Sequence, residues 1–244
     1  MPVSGSLTLA RRLVAEFIAT ALLLATVVGS GIMAERLAGG NVAVALLANT
    51  LATGAGLLAL ILTFGPISGA HMNPAVTLAD AALGGLALRD VLPYIAAQIG
   101  GAYLGVAIAH GMFELPVFSA SQHVRAGASQ FLSEFIASFG LLATVWGVAR
   151  RRVTAVPFAV AAYIVAAYWF TASTSFANPA VTMARAASDT FAGIRPADAP
   201  AFIAAQLLGA SAATLLFRWL APALPQVAPA IMVPHPASPA TEEA

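Results

Sequence analysis

Long apolar stretches separated by short polar segments run through most of the chain. A membrane-spanning helix needs about 20 predominantly apolar residues to cross the hydrocarbon core of a bilayer. Six stretches meet or approach that length: residues 13–33, 41–64, 91–110, 131–148, 155–170 and 199–220. The pattern therefore predicts an all-α membrane protein with six transmembrane helices.

Two further apolar segments, residues 67–85 and 173–191, are interrupted by Gly, Pro and Asn and are too broken to span a membrane. Each contains the triplet Asn-Pro-Ala, at residues 73–75 and 178–180. Asn is a favoured helix cap and Pro a favoured first helical residue. Each segment is therefore predicted to be re-entrant, with an extended stretch followed by a half-helix that begins at membrane depth.

Irregular backbone at that depth is tolerated only where it is buried in protein or lines a water-filled cavity. The side-chain amides of Asn73 and Asn178 are expected to offer donors at the centre of such a cavity, beside the positive ends of both half-helices. A pore of this kind suits a small neutral solute. The extended residues are expected to offer carbonyl acceptors to it: Gly69, Ala70, His71 and Met72 in the first loop, Ser175, Phe176 and Ala177 in the second.

The two halves of the chain resemble each other. Similar apolar runs follow Glu16 and Glu134, both loops carry Asn-Pro-Ala-Val-Thr, and Ile-Ala-Ala-Gln ends at Gln98 and again at Gln206. Chance likeness between apolar helices is the alternative, but polar residues recur in the same order. Because three spans per half is an odd number, the halves are predicted to be inverted repeats whose loops enter from opposite faces.

Composition supports a membrane protein. The chain has 244 residues, of which 60% are hydrophobic and 9% charged, whereas soluble domains average about 45–50% apolar and about 25% charged residues. A net charge of +1 indicates no nucleic-acid partner. The absence of cysteine excludes disulfides and thiol chemistry, and no cluster of metal-ligating or catalytic residues is apparent, so no metal, cofactor or enzymatic activity is predicted.

The arginines predict the orientation in the membrane. Placing both termini in the cytoplasm puts seven arginines inside and four outside, in line with the positive-inside bias. Residues 150–152, three consecutive arginines, anchor this assignment. The inside set is Arg11, Arg12, Arg89, Arg150, Arg151, Arg152 and Arg218, and the outside set is Arg36, Arg125, Arg185 and Arg195.

These elements divide the chain into five parts. Residues 1–12 form a cytoplasmic N-terminus, 13–110 the first repeat, 111–130 an outer connecting loop, and 131–220 the second repeat. Residues 221–244 are rich in Pro and lack a periodic pattern, so a disordered cytoplasmic tail is expected there.

The two motifs, the stretch Ser-Gly-Ala-His-Met-Asn-Pro-Ala-Val-Thr at residues 68–77, and the paired Glu and Gln residues resemble the aquaporin (major intrinsic protein) family. The resemblance covers roughly residues 11–220. It implies the aquaporin fold, a homotetramer with one pore per subunit, contact with membrane lipid, and passive flux of small neutral solutes. For this chain it implies a multi-pass protein of the bacterial inner membrane.

The second motif departs from the family pattern. Most members place Arg directly after it, and glycerol facilitators usually add Asp, but Val181 and Thr182 stand here. Counting along the family pattern assigns the selectivity filter to Thr53, Ala166 (or Ala167), Ser175 and Val181. Such a filter has no charge, ring or long side chain and is predicted to be wide. Arg185 is expected to pair with Asp189 at i+4, although a pore-facing position stays open.

The filter without Arg resembles a bacterial branch associated with arsenic resistance. The predicted function is therefore a wide, aquaglyceroporin-like channel for trivalent or methylated arsenic species (metalloid hydroxides), polyols and water. A plain glycerol and water channel is one alternative. A secondary transporter is another, since such proteins also use inverted repeats and broken helices, but the acids well inside the spans, Glu16 and Glu134, are expected to brace the loops instead, Glu16 together with His71.

Overall fold

The computed structural model describes residues 7–224 and shows an all-helical protein. Short 3-10 turns at Val153–Ala155 and Pro196–Asp198 lead into the fifth and sixth long helices. The α-helices are α1 (Leu9–Leu37), α2 (Val42–Ser68), α3 (Pro74–Ala82), α4 (Leu88–Met112), α5 (Ala128–Ala149), α6 (Val156–Phe170), α7 (Pro179–Arg185) and α8 (Ala199–Leu220).

Six of these helices are long and apolar enough to cross a membrane, and α3 and α7 are too short. The prediction of six spans and two half-helices is thus confirmed. Three of the helices, α1, α4 and α5, extend beyond the predicted apolar stretches at both ends, whereas α8 has the predicted bounds. In α1, for example, Arg11, Arg12 and Arg36 are helical, because these polar residues favour helix well while lying outside the hydrophobic pattern.

The long helices pack as two groups of three. In the first repeat α1 lies against α2 and α4, and in the second α5 lies against α6 and α8, while α2 packs on α6 between the groups. The half-helix α3 contacts α4, and α7 contacts α8. Each repeat therefore has the same internal arrangement. The face where α1 begins and α8 ends is called the terminal face, and the face where residues 113–127 lie is called the long-loop face.

Small residues allow the closest helix crossings. A Cβ atom added to Gly101 in α4 would collide with the backbone carbonyl of Phe17 in α1, and one added to Gly209 in α8 would collide with that of Phe135 in α5. The two crossings are equivalent in the repeat. Small residues let helix backbones approach closely in membranes, where dispersion contacts replace the hydrophobic effect as the source of stability.

The segments predicted at the two chain ends lie only partly within the residues that the structure describes. Residues 1–6 and 225–244 lie outside the described residues, and the predicted tail therefore falls almost entirely outside them. The outer connecting loop is present, and its backbone pairs with the segment after α7, since Ser119 and Ser121 donate to the carbonyls of Ala187 and Ala186.

We expect Gly209→Ala to destabilise the protein by about 1–3 kcal/mol, because the added methyl group overpacks a backbone contact that cannot move alone. Thermal unfolding of the purified protein in detergent measures this. Gly111→Ala is the matched control, since a Cβ there meets nothing within 4 Å and Ala favours helix over Gly. Equal unfolding temperatures for both variants would contradict the close crossing of α5 and α8.

Candidate transmembrane pore

The two half-helices meet end to end through their capping residues. Asn73 Oδ1 accepts from the backbone N–H of Ala75 at 2.9 Å, and Asn178 Oδ1 accepts from that of Ala180 at 3.0 Å. Each Asn also reaches the other loop: Asn73 Nδ2 donates to the Ala177 carbonyl at 2.8 Å, and Asn178 Nδ2 donates to the Met72 carbonyl at 2.7 Å. The caps therefore join the two repeats at their point of closest approach.

This geometry restricts what the central residues offer to a solute. A side-chain amide has two N–H donors, and one of them on each Asn is engaged with the opposite loop. One donor on each Asn remains. The carbonyls of Met72 and Ala177, expected from the sequence to face the solute, accept those amides and keep one lone pair each.

The extended segments before the half-helices share one unusual conformation. Ala70 and Met72 have φ of 47° and 47°, and the equivalent Ser175 and Ala177 have φ of 51° and 48°. Non-glycine residues with positive φ are strained and persist only where surrounding contacts hold them. The matching values show that both loops are held in the same way.

Glu16 holds the first loop. Its carboxylate is fully buried and accepts from the backbone N–H groups of His71 at 2.9 Å and Met72 at 2.8 Å. Ser68 Oγ and Gln98 Nε2 donate to it at 2.7 and 2.8 Å. The loop N–H groups have no helix or strand partner, so the carboxylate satisfies donors that would otherwise be buried alone.

Glu134 holds the second loop in the same way. Its carboxylate accepts from the backbone N–H groups of Phe176 and Ala177, both at 2.9 Å, and from Gln206 Nε2 at 2.6 Å. Gln206 also donates to Thr182 Oγ1 at 2.8 Å, as Gln98 does to the equivalent Thr77. The glutamines, which the sequence showed only as a repeated residue, are thus a second set of loop contacts.

The imidazole of His71 lies elsewhere than expected. The backbone N–H of His71 contacts Glu16, but its ring Nδ1 lies 3.1 Å from Thr77 Oγ1 and its Nε2 lies 3.5 Å from Asp80 Oδ2. The ring also packs on Tyr94, with centroids 5.6 Å apart. The side chain therefore anchors the first loop to α3 and α4.

A cavity of about 470 Å³ runs along both loops. Its wall includes the first-loop segment Gly69, Ala70, His71 and Met72, and Ser175, Phe176 and Asn178 of the second loop. Thr53 and Val181 line it as well. Asn73 and Ala177, which are 4% and 1% exposed, lie next to lining residues of both loops. Aliphatic side chains of α1, α2, α5 and α6 complete the wall.

The assignment of Ala166 to this wall is corrected by the structure. Ala166 is exposed on the outside of α6, and Ala167 is fully buried in packing. Tyr168 lines the cavity instead, and its hydroxyl donates to Thr53 Oγ1 at 3.3 Å. Counting back from the second motif placed the filter residue on the wrong side of α6, because a shift of two residues turns a helix by more than half a revolution.

Arg185 also lines the cavity, which is the pore-facing position that the sequence had left open for it. Its guanidinium lies over the Phe176 ring, 3.3 Å from the centroid, and its Nε donates to the Ala192 carbonyl. Among the residues that the structure describes, no ion pair joins Arg185 to Asp189. The Asp189 carboxylate accepts from the Gln122 backbone N–H at 2.9 Å.

On the long-loop face, His123 contributes no charge near pH 7. Partial burial first, and then the positive charges of Arg125 and Arg185, lower the pKa of His123 below its usual value. The neutral form of His123 is thus favoured near pH 7.

Known proteins share this arrangement. The family model described as "Major intrinsic protein" matches residues 4–156 and 148–242. The aquaglyceroporin AqpS of Rhizobium meliloti (strain 1021) is 56% identical over 212 residues, which cover 87% of this chain and 91% of that protein. The chain belongs to the major intrinsic protein family.

More distant members of the family also match this chain in sequence or in fold. Aquaporin NIP1-1 of Arabidopsis thaliana is 34% identical over 155 residues, 60% of this chain and 51% of that protein. The X-ray structure of the aquaglyceroporin from Plasmodium falciparum superposes with a TM-score of 0.68 at 19% identity, covering 89% of this chain and 99% of that chain. That likeness shows the aquaporin fold. As a major intrinsic protein the chain is a membrane channel and not an enzyme.

We expect Glu134→Ala to destabilise the channel by about 2–6 kcal/mol, because two buried backbone N–H groups lose their acceptor at about 1–3 kcal/mol each. The unfolding temperature in detergent should fall by roughly 2–4 °C per kcal/mol. Glu134→Gln keeps one acceptor oxygen and should lose less.

The matched control is Glu35→Ala, because Glu35 is exposed at the end of α1. A Glu134→Ala protein with the same stability as Glu35→Ala would show that the carboxylate does not hold the loop. A stable variant whose solute flux lost only its response to a proton or sodium gradient would indicate a coupled transporter.

Proposed function

We propose that the chain is a passive, wide aquaglyceroporin-like channel for small uncharged solutes, conducting water, polyols such as glycerol, and trivalent or methylated arsenic species. The observation that supports this proposal most directly is the small size of the wall residues beside the second motif. Thr53, Ser175 and Val181 are small and line the cavity, whereas water-selective members of the family have a bulky residue at the position of Thr53 and most members have Arg at that of Val181.

The rest of the wall supports a neutral solute that both donates and accepts hydrogen bonds. The loop segments and Asn178 bring carbonyl and amide groups to the cavity, Thr53 and Tyr168 add hydroxyl groups, Arg185 adds a guanidinium, and most of the remaining wall is aliphatic. Both half-helices direct their N-termini, with about half a positive charge each, to the centre. This favours polar neutral molecules and disfavours cations. Arsenous acid, which carries hydroxyl groups and is uncharged at neutral pH, meets the same requirements as a polyol.

A coupled transporter is the weaker candidate. Transporters usually keep an ionisable group on the substrate pathway to bind the coupling ion. Among the described residues that line the cavity none is Asp or Glu. The carboxylates of Glu16 and Glu134 are occupied by loop donors.

We expect Val181→Arg to reduce glycerol and arsenous acid flux at least about tenfold, an added barrier of about 1.4 kcal/mol, and to reduce water flux much less. The guanidinium would fill space beside Thr53 and Ser175 that only the larger solutes need. Stopped-flow light scattering on proteoliposomes, with an osmotic gradient of each solute, measures the three fluxes.

Val181→Leu is the matched control, since it adds bulk without charge and should have a smaller effect. Adding Thr53→Phe to Val181→Arg should sharpen the loss, because two large groups would close on one constriction. Equal loss of water and glycerol flux in Val181→Arg, or no loss of either, would show that Val181 does not border the selective part of the pore.

We also propose that both termini and the turn between α5 and α6 face the cytoplasm of a bacterial inner membrane, and that four copies assemble with lipid around them. The three arginines of residues 150–152 support the orientation. Large apolar side chains exposed along the outside of the spans, such as Ile18, Leu51 and Leu132, support contact with lipid or with neighbouring subunits.

The orientation predicts where single cysteines react. The natural chain has none, so Thr154→Cys, in the turn before α6, should be protected from an impermeant thiol reagent added to intact cells. Ser4→Cys and Ser238→Cys, outside the described residues, should be protected too. Ala126→Cys, exposed on the long-loop face, is the counterpart and should be labelled. Labelling of Thr154→Cys together with protection of Ala126→Cys would show that the protein has the opposite orientation in the membrane.

A further inference from the structure

Arg185 ends α7 and occupies the wall of the cavity one helical turn beyond Val181. Residues four apart on an α-helix share a face and differ by about 6 Å along the axis. The short side chain of Val181 therefore leaves the wall open beneath Arg185.

The charge of Arg185 is buried without a carboxylate. The residue is 2% exposed, and among the described residues its guanidinium packs on the Phe176 ring and donates to the Ala192 carbonyl. A guanidinium carries five N–H donors, and only Nε–H has a protein acceptor there. Burying an unpaired charge is costly unless water or a solute solvates it. The remaining donors are available to whatever fills the cavity.

The neighbouring groups fix Arg185 in place without neutralising it. The ring of Phe176 also carries Arg125, whose guanidinium carbon lies 5.1 Å from the centroid. Arg125 is engaged elsewhere, with Nε donating to the Gly193 carbonyl at 2.9 Å and Nη1 to the Ser173 carbonyl at 3.1 Å. The backbone N–H of Phe176 is held by Glu134. Because Glu134 holds the backbone of Phe176 and Arg125 packs on its ring, the ring that contacts the Arg185 guanidinium is fixed in position.

The cavity wall also includes two hydroxyl groups. Tyr168 and Thr53 line the cavity and are bonded to each other. A solute passing this level meets a planar cation with free donors, two hydroxyls that both donate and accept, and the apolar Val181. This combination favours an uncharged molecule that carries oxygen acceptors and repels a cation of the same size.

We infer that Arg185 is the charge-selecting residue of this pore, which donates hydrogen bonds to solute oxygens and excludes cations, in place of the arginine absent at Val181. The inference rests on the proposed channel function. It adds a residue that sequence counting had paired with Asp189.

Urea and the guanidinium ion test this, because they have nearly the same shape and differ in charge. Both permeabilities are measured in proteoliposomes that contain the full-length channel. We expect Arg185→Met to raise the guanidinium permeability relative to urea at least about tenfold, since a fixed unit charge acts strongly at short range in a partly buried site. Arg185→Lys keeps the charge and should retain the low guanidinium permeability.

Two further variants separate selection from a merely structural role. Arg185→Gln keeps a donor of similar reach for the Ala192 carbonyl, so it preserves the fold if Arg185→Met does not, and it should show the same loss of selectivity. Arg195→Met is the control, because Arg195 lies on the long-loop face, pairs with Asp198 and does not line the cavity. It should leave the ratio unchanged.

The outcomes are distinct. If the natural channel passes neither urea nor glycerol, the proposed function fails and this inference falls with it. If the natural channel passes urea while the Arg185→Gln variant keeps the natural urea-to-guanidinium ratio, the inference alone is overturned. The same holds if Arg185→Lys loses selectivity as fully as Arg185→Met, because the charge would then not be what selects.

Discussion

The structure depends on placing two carboxylates where a membrane protein can least tolerate them. Removing a carboxylate from water costs several kcal/mol even after relaxation, and Glu16 and Glu134 are fully buried. Each offsets this cost by accepting hydrogen bonds from loop N–H groups that have no other partner. The carboxylate and the loop therefore stabilise each other, and neither is tolerable at that depth alone. The strained backbone, the half-helix positions and the cavity wall all follow from this pairing.

The sequence predicted the fold well because its signals are local or repeated. Six apolar stretches, two Asn-Pro pairs and a recurring Glu define helices, half-helices and their order without knowledge of packing. The bracing acids were also accessible from the sequence, because a buried carboxylate requires donors and the interrupted loops supply them. The glutamines at positions 98 and 206 recur in the sequence, but that they contact both the acid and the half-helix emerges only when helices from separate parts of the repeat are brought together.

The cavity wall was predicted less well, for geometric reasons. Counting from a motif along the chain fixes a residue number but not the rotation of the helix that carries it, so Ala166 was expected where Tyr168 lies. From the sequence, Arg185 was expected to pair with Asp189, because i+4 pairs are common on exposed helices. Here α7 ends at Arg185, so Asp189 no longer lies on the same helical face. The aromatic ring of Phe176, two residues before the cap Asn178, was the partner that no sequence spacing indicated.

The hydrogen bonds that Asn73 and Asn178 each donate to a carbonyl of the opposite loop have a consequence for how such a chain could arise. Each half presents one amide donor and one carbonyl acceptor to the other, and both are satisfied by an inverted partner. A single half would leave both groups unmatched at the centre of a bilayer. An ancestor of half this length would thus have had to insert in both orientations and pair with itself head to head. Fusion of two gene copies would remove the need for dual insertion and would free each half to diverge, as at the equivalent half-helix positions Asp80 in α3 and Arg185 in α7.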